Sequence, residues 1–486
     1  MTDESSVNPE PEPKPPGAEA LEPPPPSVWA AAKEAVRGVH RHDYTAGPIG
    51  RSLMLLAVPM VLEVSLESVF AVVNVFWVNR LGADAVATVG LTEAMFSAIY
   101  ALGMGLGIGA TATVARRIGE KNPDGAARAA VQAITLGVMV AIPIAFLGGF
   151  FAPDLLRLMG ASPEVIATGS GFTRVLFSGN VVILLLFLIN AIFRGAGDAA
   201  IAMRALWIAN ICNLILDPLL IFGIGPFPEL GVTGAAVSTT CGRGVGVIYQ
   251  FWRLAGAGHR FPIRRDHVRL EPALLLSLLR LSGTGIFQIL IGTTSWIGLV
   301  RVVSTFGSAA VAGYTVGIRV IIFAILPAWG MANAAATMVG QALGARKPAR
   351  AEESVWRAGY YNLWFLGLLG VVFVALAPQI VRLFTSDPEV ARGAVACLRI
   401  TSLGFPFYAY GMVLTSSFNG AGDTWTPTLI NLVCFWVWEI PLAWLLARPL
   451  GFGPPGAYVA VAVAFSTLAV VSALVFRRGR WKSKVV

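Results

Sequence analysis

Residues 195–198, Gly195-Ala196-Gly197-Asp198, return 225 positions later as Gly420-Ala421-Gly422-Asp423, and the echo runs outward in both directions without a gap. Upstream, Gly82 falls on Gly307, Gly119 on Gly344, Pro123 on Pro348 and Pro153 on Pro378. Pro163-Glu164-Val165 falls on Pro388-Glu389-Val390, Arg157 and Arg174 fall on Arg382 and Arg399, and Gly231 falls on Gly456. One architecture is written twice, and a repeat of this length governs every other reading of the chain. Two similar apolar halves point to a substrate path between them.

Hydrophobic residues make up 56% of the chain and charged residues 13%, too few charges to cover a water-exposed surface of this size. Apolar stretches of about 20 residues, the length that crosses a bilayer as helix, recur at 53–78, 86–113, 126–151, 165–193, 200–222 and 231–252. The second set runs 275–303, 311–338, 355–377, 390–417, 425–447 and 456–476. Lipid offers no partners to backbone groups, so these spans are helices or a closed barrel. They lack the alternation of barrel strands. The expected fold is an all-α integral membrane protein of twelve transmembrane helices, built as two six-helix bundles. Six spans return the chain to its starting side, so the bundles relate by a pseudo-two-fold axis along the membrane normal.

The net charge of +9 does not indicate nucleic acid, because the basic residues gather in alternate loops. Arg116, Arg117, Lys121 and Arg128 sit between spans 2 and 3, and Arg253, Arg260, Arg264, Arg265 and Arg269 between spans 6 and 7. Arg346, Lys347 and Arg350 follow span 8, and Arg477, Arg478, Arg480, Lys482 and Lys484 close the chain. The other loops carry acids such as Asp154, Glu164, Glu229, Asp387 and Glu389. This asymmetry places both termini in the cytoplasm. The expected divisions are a cytoplasmic tail over 1–45, an N-terminal lobe over 46–255, a basic linker over 256–274, a C-terminal lobe over 275–478 and a basic tail over 479–486. Residues 1–27, rich in Pro and Glu, are expected to be a disordered tail rather than a signal peptide. Trp29 to Arg41 suits either a short helix on the inner membrane surface or a polar linker.

A repeat lets one half act as control for the other. Shared positions are most economically scaffold, and polar residues found in one half only are candidates for specific work. In span 1, Glu63, Glu67 and Asn74 stand where the second half has Gln288, Gly292 and Leu299, and their spacing puts all three on one helix face. In span 5, Asn210, Asn213 and Asp217 share a face, and Glu439 of span 11 does not superimpose on Asp217. An ionised carboxylate near a helix centre costs roughly 2.5–3.5 kcal/mol. Glu63 and Glu67 are therefore expected to be protonated, paired or ion-bound, with at least one of them holding its proton near neutral pH.

Other features are read as structural. Arg174 and Arg399, kept in both halves, are expected to partner acids or helix ends. Gly103, Gly105, Gly107 and Gly109 have no preceding strand and suit close helix packing rather than phosphate binding. Trp296, Tyr408, Tyr410, Trp436 and Trp438 are candidates to line a pocket for flat or cationic molecules, against a core or interfacial role. The four cysteines lie in apolar spans and the four histidines in tail or loop, so neither a disulfide framework nor a metal site is expected.

The segments NRLGADAVATVGL (79–91), GIGATATVARRIG (107–119), RGAGD (194–198) and NLILDPLLIFGIGPFPELGVTGAA (213–236) resemble the multidrug and toxic compound extrusion (MATE) transporters. The resemblance covers residues 50 to about 478. It implies two six-helix bundles around a V-shaped cavity, and export of organic cations and other drug-like compounds in exchange for protons or sodium. Asn213 and Asp217 match the Asn and Asp of the family's first-half cation site. The acid of the span 1 "VDT"-like stretch is absent, since it reads Val73-Asn74-Val75, and the second-half acids of the sodium-coupled branch are missing too, with Gly292 and Tyr408 standing near the places expected for them.

The expected function is a non-enzymatic, monomeric antiporter of the inner membrane, surrounded by lipid and exporting a small molecule against protons rather than sodium, with no other cofactor. Glu63, Glu67 and Asp217 are expected to couple the ion, supported by Asn74, Asn210 and Asn213. Glu439, Trp296, Tyr408, Trp436 and Trp438 are the candidates for a second or substrate site. A lipid-linked oligosaccharide flippase and a non-transporting membrane scaffold are the rival readings. No HExxH, GxSxG or dinucleotide fingerprint occurs in a competent setting.

Overall fold

A computed structural model describes residues 28–38, 42–256, 261 and 263–484. The tail over 1–27, His40, Arg41, His259 and Arg260 lie outside the described residues. The first half comprises α1 (Val28–Arg37), α2 (Ile49–Asn79), α3 (Ala83–Gly119), α4 (Pro123–Phe150), α5 (Ala152–Leu158), α6 (Pro163–Ser178), α7 (Asn180–Ala196), α8 (Ala199–Phe222) and α9 (Val232–Ala255). The second half comprises α10 (Pro272–Ser304), α11 (Ser308–Gly344), α12 (Pro348–Arg382), α13 (Pro388–Ser402), α14 (Phe405–Gly420), α15 (Trp425–Asn431), a π-helical stretch Leu432–Glu439, α16 (Ile440–Ala447) and α17 (Pro454–Arg477). No strand occurs among the described residues.

The duplication reaches single backbone angles. Gly82 and Gly307 open α3 and α11 at φ 99° and 100°, and Lys121 and Arg346, just past the same helices, both take left-handed φ values of 55° and 57°. Pro123 and Pro348 then start α4 and α12, where a missing N–H costs nothing. Nine helices among the described residues are long and apolar enough to cross a bilayer, or ten with α6–α7 counted as one span. The more polar α9 and the α13–α14 pair fill the two places that the repeat leaves.

Spans 4 and 10 are broken rather than continuous. The α6–α7 pair bends by 42° around Gly179, and the Asn180 amide donates to the carbonyls of Phe177 (2.7 Å) and Ala141 (3.3 Å) at the bend. In the second half, Pro406 lacks the N–H that would carry α13 into α14. Arg174 donates to the Gly149 carbonyl (3.2 Å) and Arg399 to that of Val374 (3.0 Å), the same brace in each half. The alternating glycines of α3 serve two neighbours. A Cβ at Gly103 or Gly107 would press on Leu184 or Ala191 of α7, and one at Gly105 or Gly109 on Ile286 or Ser282 of α10.

The lobes cross over at their first helices. Leu53, Leu56, Ala57 and Met60 of α2 are buried in the second-half core, whereas Val78 at the far end of α2 is buried with first-half residues. In mirror fashion Leu278 of α10 joins the first-half core, and Leu299, Val302 and Val303 join the second. Hydrogen bonds between lobes cluster at the end that carries the basic loops. Arg350 donates to the carbonyls of Tyr44 (3.1 Å), Ala46 (2.8 Å) and Gly47 (2.8 Å), and Lys347 donates to that of Thr45 (2.8 Å). Across the axis, Gln132 of α4 holds the Arg269 carbonyl and the Glu271 amide. Thr337 and Gln341 of α11 donate to the carbonyls of Arg194 (3.2 Å) and Gly195 (2.9 Å). The basic end is sealed.

α1 is a helix rather than an irregular linker, and it packs on the bundle. Ala35 is buried, Glu34 pairs with Arg51 at 2.8 Å, and Arg204 of α8 donates to the Val36 carbonyl at 3.0 Å.

Candidate functional site

Beyond Met60, α2 leaves the second-half core and turns its polar residues toward α7, α8 and α9. Glu63 is buried, and its Oε1 accepts from Arg194 Nη1 at 2.7 Å and from Asn190 Nδ2 at 3.0 Å. Gln250 of α9 donates to Asn190 Oδ1 at 2.6 Å and fixes that amide. One turn on, Glu67 Oε1 accepts from Arg243 Nη2 at 2.8 Å and Oε2 from Asn210 Nδ2 at 3.0 Å. The Glu67 side chain retains 28% exposure against 5% for Glu63, so it borders the space between the lobes. The Arg243 guanidinium lies 5.5 Å from the Phe187 ring centroid. Each acid has its own arginine, the paired arrangement among the alternatives that the sequence left open.

Asp217 differs. It is fully buried on α8, and Ser238 Oγ donates to its Oδ1. With the Asn213 amide turned so that its nitrogen faces Asp217, it donates to the two carboxylate oxygens at 2.8 and 2.9 Å and accepts from Thr239 Oγ1 at 2.9 Å. No Lys or Arg among the described residues pairs with Asp217. Asn74, the third polar residue of α2, joins neither pair: its amide oxygen is buried without a partner.

The second-half candidates do not assemble with these groups. Tyr408 stacks on Phe465 with centroids 4.0 Å apart, Trp436 donates to the Ile291 carbonyl at 3.0 Å, and Trp296 packs against the second-half core. Tyr410 tilts against Trp356 at 6.1 Å, and Trp438 is about half exposed on the π-helical stretch. Glu439 is buried at the end of that stretch, with no ion pair or hydrogen-bond partner among the described residues. Glu93 of α3 and Arg319 of α11, both exposed, feel each other's charge from opposite lobes.

Sequence reasoning missed Arg194, Arg243, Asn190 and Gln250. The signal was available: they fall on Asn419, Leu468, Thr415 and Val475, so the arginines are as unshared between halves as the acids they meet.

A family model described as MatE matches residues 59–219 and, a second time, residues 286–445, one match for each half. The chain belongs to the MatE family. Among MatE relatives it is 27% identical to the probable multidrug resistance protein YoeA of Bacillus subtilis, over 86% of this chain and 91% of that one. It is 24% identical to the probable multidrug resistance protein NorM of Thermotoga maritima, over 90% and 94%. The fold matches an outward-facing multidrug resistance MATE family transporter of the MOP superfamily with a TM-score of 0.84 at 26% identity, covering 91% of this chain and 98% of that one. The MatE architecture of two six-helix lobes is thus shared in full, and this chain is a multi-pass membrane protein of a transporter family.

Proposed function

We propose that this chain is a monomeric inner-membrane antiporter that exports drug-like cationic or apolar compounds in exchange for protons by alternating access. The sealed basic end would face the cytoplasm, by the bias of Lys and Arg toward that side. The observation that carries the reading is Asp217, the buried first-half carboxylate with hydrogen-bond donors but no cation. An ionised carboxylate in that setting is costly to keep, so a proton arriving from the open side neutralises it. Protonation weakens the hold of Asn213 and Ser238 on the carboxylate. Asn210, on the same face of α8, grips Glu67 of α2, so a change in α8 is passed to the helix that bridges both lobes. In this reading Glu63 and Glu67 tie α2 to α7 and α9 through Arg194 and Arg243, and Asp217 takes the proton.

The paired state of both arginines weighs against a lipid-linked oligosaccharide flippase, which would present free arginines to its anionic cargo. The transporter kinship weighs against an enzyme or an inert scaffold. The test is transport in proteoliposomes with a fluorescent organic cation. Proton-driven efflux is expected to fall at least tenfold in D217N, while a sodium gradient at constant pH drives nothing. Undiminished proton-driven efflux in D217N sinks the assignment, and sodium-driven activity at constant pH replaces the ion.

A further inference from the structure

The seal at the basic end breaks the symmetry of the repeat. From the second lobe, Thr337 and Gln341 of α11 donate straight to first-lobe carbonyls. Their counterparts on α3 are Ala112 and Arg116. Ala112 has no side-chain donor. Arg116, 8% exposed, donates from its guanidinium to the backbone carbonyl of Lys484 rather than to a second-lobe helix. The return cross-link from α3 therefore runs through the last described residues of the chain.

Those residues are fastened to the second lobe. Gly479, at φ 72°, ends α17 and turns the chain back. Trp481 follows in a 3-10 turn over Arg480–Ser483; it is 1% exposed and stacks on the Phe476 ring with centroids 4.5 Å apart. Its indole N–H donates to the Phe476 carbonyl at 2.9 Å. Lys482 Nζ meets Glu352 of α12 at 2.6 Å, and Lys484 Nζ meets Asp423, just past α14, at 3.3 Å. The anchors are not shared between the halves. At a shift of 225 the first half reads Gly256-Ala257-Gly258-His259 in place of Trp481-Lys482-Ser483-Lys484, and Ala127 in place of Glu352. Three side chains hold the tail to its own lobe, and one carbonyl is offered to the other. Separating the lobes at this end takes that acceptor from a largely buried guanidinium, which is costly until water replaces it.

We propose that the tail over Arg480–Lys484 is a latch, carried by the second lobe and caught by Arg116 of the first, that favours the state in which the basic end is closed. When the lobes part, Trp481 keeps the tail on the second lobe and the hold on Arg116 is released. The latch rests on the alternating-access part of the previous section. It is independent of the driving ion and of the cargo.

Maleimide labelling of purified protein tests it, with T337C placed in a C212S/C241S background so that the seal is read against little else. Removal of residues 480–486 and, separately, R116M are each expected to speed labelling of T337C at least about tenfold, the worth of one hydrogen bond from a charged donor. The two changes together are expected to add nothing further, because each breaks the same link. T401C is the control, since Thr401 is 0% exposed inside the second lobe. It is expected to stay unlabelled throughout. Faster labelling of T401C as well would make the tail a general support of its lobe and overturn the latch. Additive effects of the two changes would overturn it too, as would an unchanged rate at T337C. If T337C is never labelled, in the parent or in any variant, the basic end does not open, and alternating access falls together with the latch. Should the shortened chain not fold, K482Q/K484Q takes its place, because it frees the tail from Glu352 and Asp423 and keeps Trp481.

Discussion

At the scale of residues, the first-half interior is organised by pairs of opposite charge that no surface reading would rank highly. Glu63 and Arg194 are 5% and 19% exposed and meet at 2.7 Å. Breaking such a pair from one side strands a charge and costs about 3–5 kcal/mol, whereas replacing both partners costs far less. R194Q is therefore expected to lower the stability of the purified protein by about that amount, and E63Q/R194Q to recover most of it, as measured by thermal unfolding in detergent. Equal losses in the single and double variants would show that the pair is not coupled. The acids were legible in the sequence because a carboxylate stands out in an apolar run. Arg194 was not, because it adjoins Gly195-Ala196-Gly197-Asp198 and reads as a helix-end cation. Glu439 was visible, but over two turns the spacing of side chains does not separate a π-helix from an α-helix.

At the scale of elements, the short lead-in to α2 matters out of proportion to its length. Thr45 donates to Asp43 through its backbone N–H (2.8 Å) and its hydroxyl (2.6 Å), and the Thr45 carbonyl then accepts from Lys347. Partial burial pushes the Asp43 carboxyl up, but the Thr45 hydrogen bonds and the charges of Lys121 and Lys347 outweigh it and hold the group below its ordinary value. The folded value is the lower one, so the stabilisation is complete above the ordinary carboxylate range and fades as pH falls through the folded value. The melting temperature is expected to drop on acidification toward pH about 3, and less steeply in D43N. Parallel melting curves for the two proteins would remove Asp43 from the clasp. Pro123 and Pro348 were legible as landmarks of the repeat, although the apolar spans read from the sequence begin at 126 and 355, inside the helices that these prolines open. The bend at Gly179 was not, since a lone glycine in an apolar run suits a straight helix as well.

At the scale of the whole molecule, the duplication revealed the fold, the span count and the shared orientation of the lobes. Which end is closed was beyond it, because the same residues serve either state and only their contacts differ. The seal depends on backbone approach. A Cβ at Gly119 would strike the Gln341 backbone, and one at Gly344 the Arg116 carbonyl. G119A is expected to force the basic end apart, seen as roughly tenfold faster labelling of a cysteine placed at Thr337 than in the parent cysteine variant. Unaltered labelling would mean that the lobes do not close through this contact.

The crossing of α2 and α10 has a consequence for how the chain comes into being. The base of α2 is among the first apolar segments to leave the ribosome, yet its neighbours Ile321, Met338 and Val339 are made much later. The first-half core likewise takes in Leu278 from the base of α10, which is made only after the first half. The chain carries two copies of one unit, but neither copy completes its core without the first helix of the other.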